Sequence, residues 1–166
     1  LADAWAVHDD SEVTFVARIT GSSFKATSEA LTGKVELAPD ASKVLSAAIQ
    51  VEVKSLDTGM SMRNDHMRKK YLEAGKFPLI EFKAKESPVS VTKGAANEVE
   101  GAFNIHGVEK PIKLKLTVKE SAANKLVISG EFDLNILDYG IEHPKYFVVE
   151  MKPVVKVELT LVLEKK

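Results

Sequence analysis

The stretch Ser55-Leu-Asp-Thr-Gly-Met-Ser-Met-Arg-Asn-Asp-His-Met-Arg-Lys-Lys-Tyr-Leu-Glu-Ala-Gly-Lys-Phe-Pro-Leu-Ile-Glu-Phe82 interrupts an otherwise alternating chain. On both sides of it, apolar and polar residues alternate with the period of half-buried strands. Upstream, Ala47, Ile49, Val51 and Val53 share one face, with Gln50, Glu52 and Lys54 on the other. Downstream, Ile80, Phe82 and Ala84 resume the pattern. In between, the alternation stops at Thr58-Gly59, and Met67 and Tyr71 fall at i, i+4 helical spacing. Phe77-Pro78 then restarts the strand, because proline denies helix to the residue before it. Residues 60–74 are therefore expected to form a helical insert between two strands of a β protein.

Outward from this segment the chain reads as strands. Val13, Phe15, Ala17 and Ile19 alternate up to Gly21-Ser-Ser, and Ala30 to Leu37 forms a weaker strand closed by Pro39-Asp40. Val99, Phe103 and Ile105 lead through His106-Gly107 and Lys110-Pro111 to Ile112, Leu114, Leu116 and Val118, a hairpin with turn residues in place. Leu126, Ile128, Phe132, Leu134 and Ile136 give another strand, and Val155, Val157, Leu159, Leu161 and Leu163 the last. The fold is thus all-β, with about eight strands and short turns. Alternation alone leaves sandwich and closed barrel both open. Trp5 reads as a plug or edge-packing residue.

Composition narrows the function. At 166 residues the chain suits one domain with a real core. Lys+Arg 23 against Asp+Glu 24 leaves a net charge of −1, which argues against nucleic acid as a partner. Cysteine is absent, which excludes thiol catalysis, disulfides and thiolate metal sites. The histidines His8, His66, His106 and His143 lack zinc-site spacing, and neither a nucleophile elbow nor a phosphate-binding glycine loop occurs. No metal and no catalytic residue is expected. His106 reads as a turn residue, and His143-Pro144 as part of a loop at one barrel end.

Within the insert, Met60, Met67 and Tyr71 are expected to plug one end of the β structure and to line whatever cavity it closes. Met is the adaptable filler for such a place. Arg63 and His66, at i, i+3, fit two roles: hydrogen bonds to a ligand phosphate, carbonyl or phenol, or, for Arg63, an ion pair with Asp57 or Asp65 that pins the insert. Arg68, Lys69 and Lys70 read as a solvated basic face, with transient contact to anionic membrane as the minority role.

The insert also carries a resemblance. Thr58, Gly59, Arg63, His66, Met67, Tyr71, Leu72, Phe77, Pro78, Ile80 and Phe82 match a pattern of Arg-x-x-His-(Leu/Met), an aromatic-Leu-acid step and aromatic-Pro-x-Ile-x-Phe. Ser11-Glu-Val-Thr-Phe15, Val99 to Ile112 with its Gly-Val-x-Lys-Pro turn, and Asp138-Tyr-Gly-Ile141 extend the match over nearly the whole chain. The sequence resembles the YceI family of lipocalin-like polyisoprenoid-binding proteins. One position departs: the family's Asp after the motif arginine is Asn64 here.

The resemblance implies an extended lipocalin-like antiparallel β-barrel that carries a long-chain isoprenoid lipid, a prenyl quinone or a polyprenyl (pyro)phosphate. It implies no cofactor beyond that ligand, a monomer or homodimer, and export to the periplasm with a targeting segment removed. A tilted barrel of such strands stands roughly 30 Å tall. Alternation then places Phe15, Ile49, Val51, Phe82, Phe103, Leu114 and Leu159 on the lumen side, with few aromatics to fill it. Arg63 and His66 are expected at the polar head. A fatty-acid carrier and a filled-barrel interaction module are the alternatives.

Overall fold

A computed structural model describes residues 1–146 and 148–166. The strands are β1 Asp3–Val7, β2 Glu12–Ile19, β3 Ser22–Ser28, β4 Leu31–Leu37, β5 Lys43–Glu52, β6 Leu79–Ala84, β7 Ser87–Pro88, β8 Ala96–Ile105, β9 Val108–Ser121, β10 Lys125–Asn135, β11 Lys145–Tyr146, β12 Val149–Glu150 and β13 Val154–Lys165. Antiparallel pairing runs β1-β4-β5-β6-β8-β9-β10-β13, and β1 returns to β13. These eight strands form a closed barrel, which leaves no open sheet edge on that path. The sandwich alternative is excluded.

The seam on β13 is shared. At its C-terminal end Trp5 and Val7 of β1 pair with Lys165 and Leu163, whereas further back Phe15 and Val13 of β2 pair with Val157 and Leu159. The β2–β3 hairpin is thus inserted into the upper half of the wall. An isolated β-bridge joins it to the far side, where the amide of Thr27 donates to the carbonyl of Asp57 and the amide of Asp57 to that of Thr27, both at 2.9 Å. The lower end closes as a tight ring and the upper end is wider.

Two strands escape the alternation reading. In β1, Trp5 is the one large apolar side chain held inside, at 5% exposure, packed with Leu37, Leu126 and Leu163 at the lower end. In β3, Ser22-Ser-Phe-Lys-Ala-Thr-Ser looks like turn sequence, yet it is held by a full antiparallel register with β2. Their stability comes from pairing and barrel closure, which override weak local propensity.

The lumen is packed in two clusters. The lower one is centred on Trp5, Val35, Leu37, Leu161 and Leu163. The larger one fills the middle and upper barrel, with Phe15, Phe103, Leu134, Tyr139 and Val157 at its heart. Inward glycines shape this core. A Cβ on Gly101 would sit 2.6 Å from the ring of Phe82, so Phe82 lies across the bare backbone there.

Candidate functional site

The insert sits over the wide end. After Gly59, whose φ of +81° suits glycine, residues Ser61–Asp65 form one α-helical segment (α1) that widens into π-type turns over His66–Tyr71. The amide of Leu72 donates to the carbonyl of Met67 at 2.8 Å, the i to i−5 bond of such a turn. π-type turns are frequent at functional positions, where they re-aim side chains.

Three attachments hold the insert. Asn64 bonds at both ends of its amide: Oδ1 accepts from the amide and the hydroxyl of Thr58, at 2.8 and 2.6 Å, while Nδ2 donates to Asp57 Oδ1 at 2.8 Å. An aspartate could not make that donation while ionised, so the departure from the family pattern fits the carboxylate of Asp57 beside it. Asn64 and then the Gly59 amide hold the Asp57 carboxyl below the usual carboxylate range. Second, Arg68 Nη2 donates to the carbonyl of Leu56 at 2.7 Å. Third, Glu73 ends the insert at a φ of +50° and meets His106, 2.6 Å from Nε2, while His106 Nδ1 lies 3.0 Å from the carbonyl of Tyr139.

Beneath the insert lies a cavity of about 220 Å³. Its walls come from β2 and β3 (Phe15, Ala17, Phe24, Ala26), from Ile105, Leu134 and Val155 of the barrel, and from Met67, Tyr71 and Leu72 of the insert. Pro144, Lys145, Val149 and Met151 form the opposite rim. The basic side chains that border it, among the described residues, are Arg63, His66 and Lys145; Tyr71 adds a phenol, and no carboxylate lines it. Arg63 packs its guanidinium 4.3 Å above the ring of Phe24. That cation–π contact holds a positive charge at an apolar wall.

Lower in the lumen the space breaks up. A void of about 60 Å³ lies below Phe15, and another of about 70 Å³ lies beyond Ile49, Phe82, Leu114 and Leu159. Phe103 packs edge-on against Phe132 and Tyr139, with ring centroids at 5.1 and 5.9 Å. The expectation of a lumen with few aromatics is corrected here: phenylalanines from four strands converge at mid-height and partition it.

The expected site residues therefore separate. Phe15, Arg63, His66, Met67 and Tyr71 surround the mouth cavity. Ile49, Val51, Phe82, Phe103, Leu114 and Leu159 surround the small void below it. Met60 does neither. It precedes the helix, which starts one residue after it, and is 53% exposed. The ion pair foreseen for Arg63 with Asp57 or Asp65 is also absent among the described residues, since Asp57 is taken by Asn64 and Gly59. Lys145, Phe24 and Met151 were not anticipated. They lie on irregular or weakly patterned segments, and nothing in their spacing marks them. His106 is indeed a turn residue, with φ +57° before Gly107 at +71°, but its role in holding the insert is visible only in three dimensions.

An antiparallel barrel, packed below and opening above into an apolar cavity under a helical cover, defines a lipocalin-like β-barrel. The YceI-like domain matches residues 5–163, and the chain belongs to the YceI family. Over 113 residues it is 33% identical to the UPF0312 proteins of Pseudomonas savastanoi pv. phaseolicola and Pseudomonas syringae pv. tomato. That match covers 63% of this chain and 58% of theirs. Among solved structures it is similar to a polyisoprenoid binding domain from Saccharophagus degradans implicated in plant cell wall breakdown (TM-score 0.76, 17% identity, 98% of each chain covered). It is also similar to BcnA of Burkholderia cenocepacia (TM-score 0.77, 20% identity, 94% and 98% covered) and to the Campylobacter jejuni YceI protein (0.72, 16%, 87% and 86%). At these identities the structural likeness establishes the fold.

Proposed function

We propose that this protein is a non-catalytic carrier of an isoprenoid lipid, with the tail in the mouth cavity and the polar head at Arg63, His66 and Lys145. The observation that carries the reading is an apolar cavity bordered by cationic groups and by no carboxylate, among the described residues. That asymmetry favours an anionic head, a prenyl phosphate or pyrophosphate, over a neutral quinone, because charge-assisted bonds to phosphate are about twice as strong as neutral ones. Binding rather than turnover fits the same feature, since a histidine without a neighbouring acid in the cavity makes a poor acid–base pair. Each buried CH₂ contributes about 0.8 kcal/mol, so ten carbons supply about 8 kcal/mol before the cost of association is subtracted.

Pickup and release of such a ligand need an apolar surface at the opening. Met60, Met62, Leu137, Val148 and Val149 are exposed, on or before the insert and on the segments 136–139 and 148–150. Lys69 and Lys70 stand exposed beside them. This rim is suited to transient contact with an anionic bilayer, where apolar side chains enter the interface and lysines meet lipid phosphates. Acting in the periplasm, as the family resemblance implies, would place the rim beside such membranes. Among the described residues no helix is long and apolar enough to cross a membrane.

Native mass spectrometry of gently purified protein, followed by extraction of any bound lipid, tests the proposal. A stoichiometric prenyl species supports it. A protein that is empty and refuses both prenyl phosphates and prenyl quinones refutes it and leaves the filled barrel as an interaction module.

A further inference from the structure

The wall around the mouth cavity is fastened unevenly. On one flank the insert is tied to the β8–β9 hairpin through Glu73 and His106, and Arg68 holds it to the carbonyl of Leu56. On the other flank, Phe24 and Ala26 of β3 bound the cavity opposite Arg63, His66 and Met67 of the insert. The foot of that flank is held by backbone, where Thr27 and Asp57 exchange their amide–carbonyl bonds. Strand alternation turns the amides and carbonyls of Ser23 and Lys25 to the same side as those of Thr27. Among the described residues neither makes a backbone bond to the insert. Above Thr27 the gap is spanned by side chains, with the Arg63 guanidinium 4.3 Å over the Phe24 ring.

β3 is also a weakly anchored part of the wall. Of its 7 residues only Ala26 and Ser28 are buried, and in the sheet it pairs with β2 alone. Few buried apolar contacts and pairing on one side put a segment at the low end of local stability. A strand edge without backbone partners, beside an apolar cavity, is the line along which this wall parts most easily.

We infer that the lipid enters and leaves sideways, between β3 and α1, and that the Thr27–Asp57 bridge and the neighbouring Ser28 and Ser55 hydroxyls, 2.7 Å apart, latch this route. The inference rests on the carrier reading above and adds the path to it. Arg63 stands on α1 over Phe24, so the head of the ligand already lies at the opening. A long tail then passes broadside between strand edge and helix, instead of threading end-on beneath the insert. The tie between Glu73 and His106 stays closed throughout. Met60 and Met62, both exposed where α1 begins, offer the tail an apolar surface outside the gap.

The test uses the absence of cysteine from the chain. The double variant Ser28→Cys/Ser55→Cys sets two thiols where hydroxyls now lie 2.7 Å apart, within reach of a disulfide. Oxidation then shuts the latch covalently, and reduction reopens it in the same molecule. The probe is geranylgeranyl phosphate, loaded onto the reduced full chain and released to excess phosphatidylcholine vesicles. Oxidation after loading is expected to slow release on the order of tenfold, as for a gated step, and reductant should restore it. Affinity measured by calorimetry should be the same in both forms, because uptake slows equally. Phe24→Leu supplies a second variant of opposite sign. Without the ring beneath Arg63, uptake and release should both quicken about threefold, the scale of an exposed cation–π contact. Equal rates in the oxidised and reduced forms, or a Phe24→Leu protein whose uptake is no faster, overturn the side route and leave the carrier reading intact. Uptake of neither this phosphate nor a prenyl quinone overturns both.

Discussion

His106 Nε2 lies 2.6 Å from a carboxylate oxygen of Glu73, joining the end of the insert to the β8–β9 hairpin across 33 residues of sequence. The other ring nitrogen faces the Tyr139 carbonyl, so one imidazole fastens three segments around the mouth. Phe77 packs edge-on against the same ring at 4.8 Å. The cover of the cavity is thereby tied to the barrel by a group that can be removed without touching the cavity wall.

Glu73→Gln and His106→Ala are accordingly expected to loosen the insert locally. Amide exchange over residues 60–74 should accelerate at least tenfold, while exchange in β9, β10 and β13 stays unchanged, as for a sub-global opening. The bond to His106, followed by Lys76, holds the Glu73 carboxyl below its ordinary value of 4.5. A depressed carboxylate contributes stability fully above its unfolded value and loses it as pH falls through the folded one. Protection of the insert should therefore hold above pH 4.5 and weaken below it, and Glu73→Gln should remove the share of that dependence not carried by Asp57.

Asn64→Asp tests the amide that links Thr58 to Asp57. It would set two carboxylates face to face where Nδ2 now donates. The variant is expected to melt a few degrees lower at neutral pH, and the deficit should shrink as the pH falls towards 4 and the pair takes up a proton. A deficit that does not change with pH would point to packing rather than charge.

Gly101→Ala addresses the middle of the lumen. The new methyl would lie 2.6 Å from Phe82 and 2.4 Å from the carbonyl of Lys83, so ring and backbone must both shift, at a cost of about 1–3 kcal/mol by overpacking. Gly33→Ala should cost more. Its Cβ would sit 2.1 Å from the Ala48 carbonyl, at a φ of +135° that only glycine adopts comfortably. Urea denaturation of the two variants should rank them in that order.

Arg63→Ala probes the head of the ligand. Loss of one bond to a charged group costs about 1.5–3 kcal/mol, so a prenyl phosphate should bind roughly ten- to a hundredfold more weakly. The corresponding prenyl alcohol should be nearly unaffected. Equal losses for both would mean that Arg63 acts by packing on Phe24 and shaping the wall.

At the rim, replacing Met62, which is 71% exposed, by Asp is expected to reduce sedimentation with anionic vesicles and to leave ligand affinity in detergent-free solution unchanged. Retained vesicle binding would remove Met62 from the contact, and failure of the unaltered protein to sediment with vesicles would remove the membrane from the proposal.

Much of this architecture was legible in the sequence because alternation is a direct imprint of the barrel wall. Ile49, Val51 and Phe82 face the lumen as their spacing dictates, and residues 61–71 are helical as the broken alternation and proline indicate. What alternation cannot express is how far each inward side chain reaches. The convergence of Phe15, Phe82, Phe103 and Phe132 depends on strand register and on Gly101 opposite Ala84, neither of which a single strand records. Met60 was misplaced for a related reason: helical spacing assumes a helix that already includes it. Lys145 and Phe24 entered the site on a two-residue strand and a polar strand, each held by local antiparallel pairing that no apolar alternation marks.

The seam on β13 has a mechanical consequence. Below, the wall is an unbroken hoop. Above, it is a split collar, fastened at Thr27 and Asp57 by two backbone bonds and nearby by the hydroxyls of Ser28 and Ser55, 2.7 Å apart. A guest that forces the opening loads this clasp and leaves the hoop unstrained. Dilation of the neck and integrity of the vessel are thus governed by different bonds, and evolution can retune one without weakening the other.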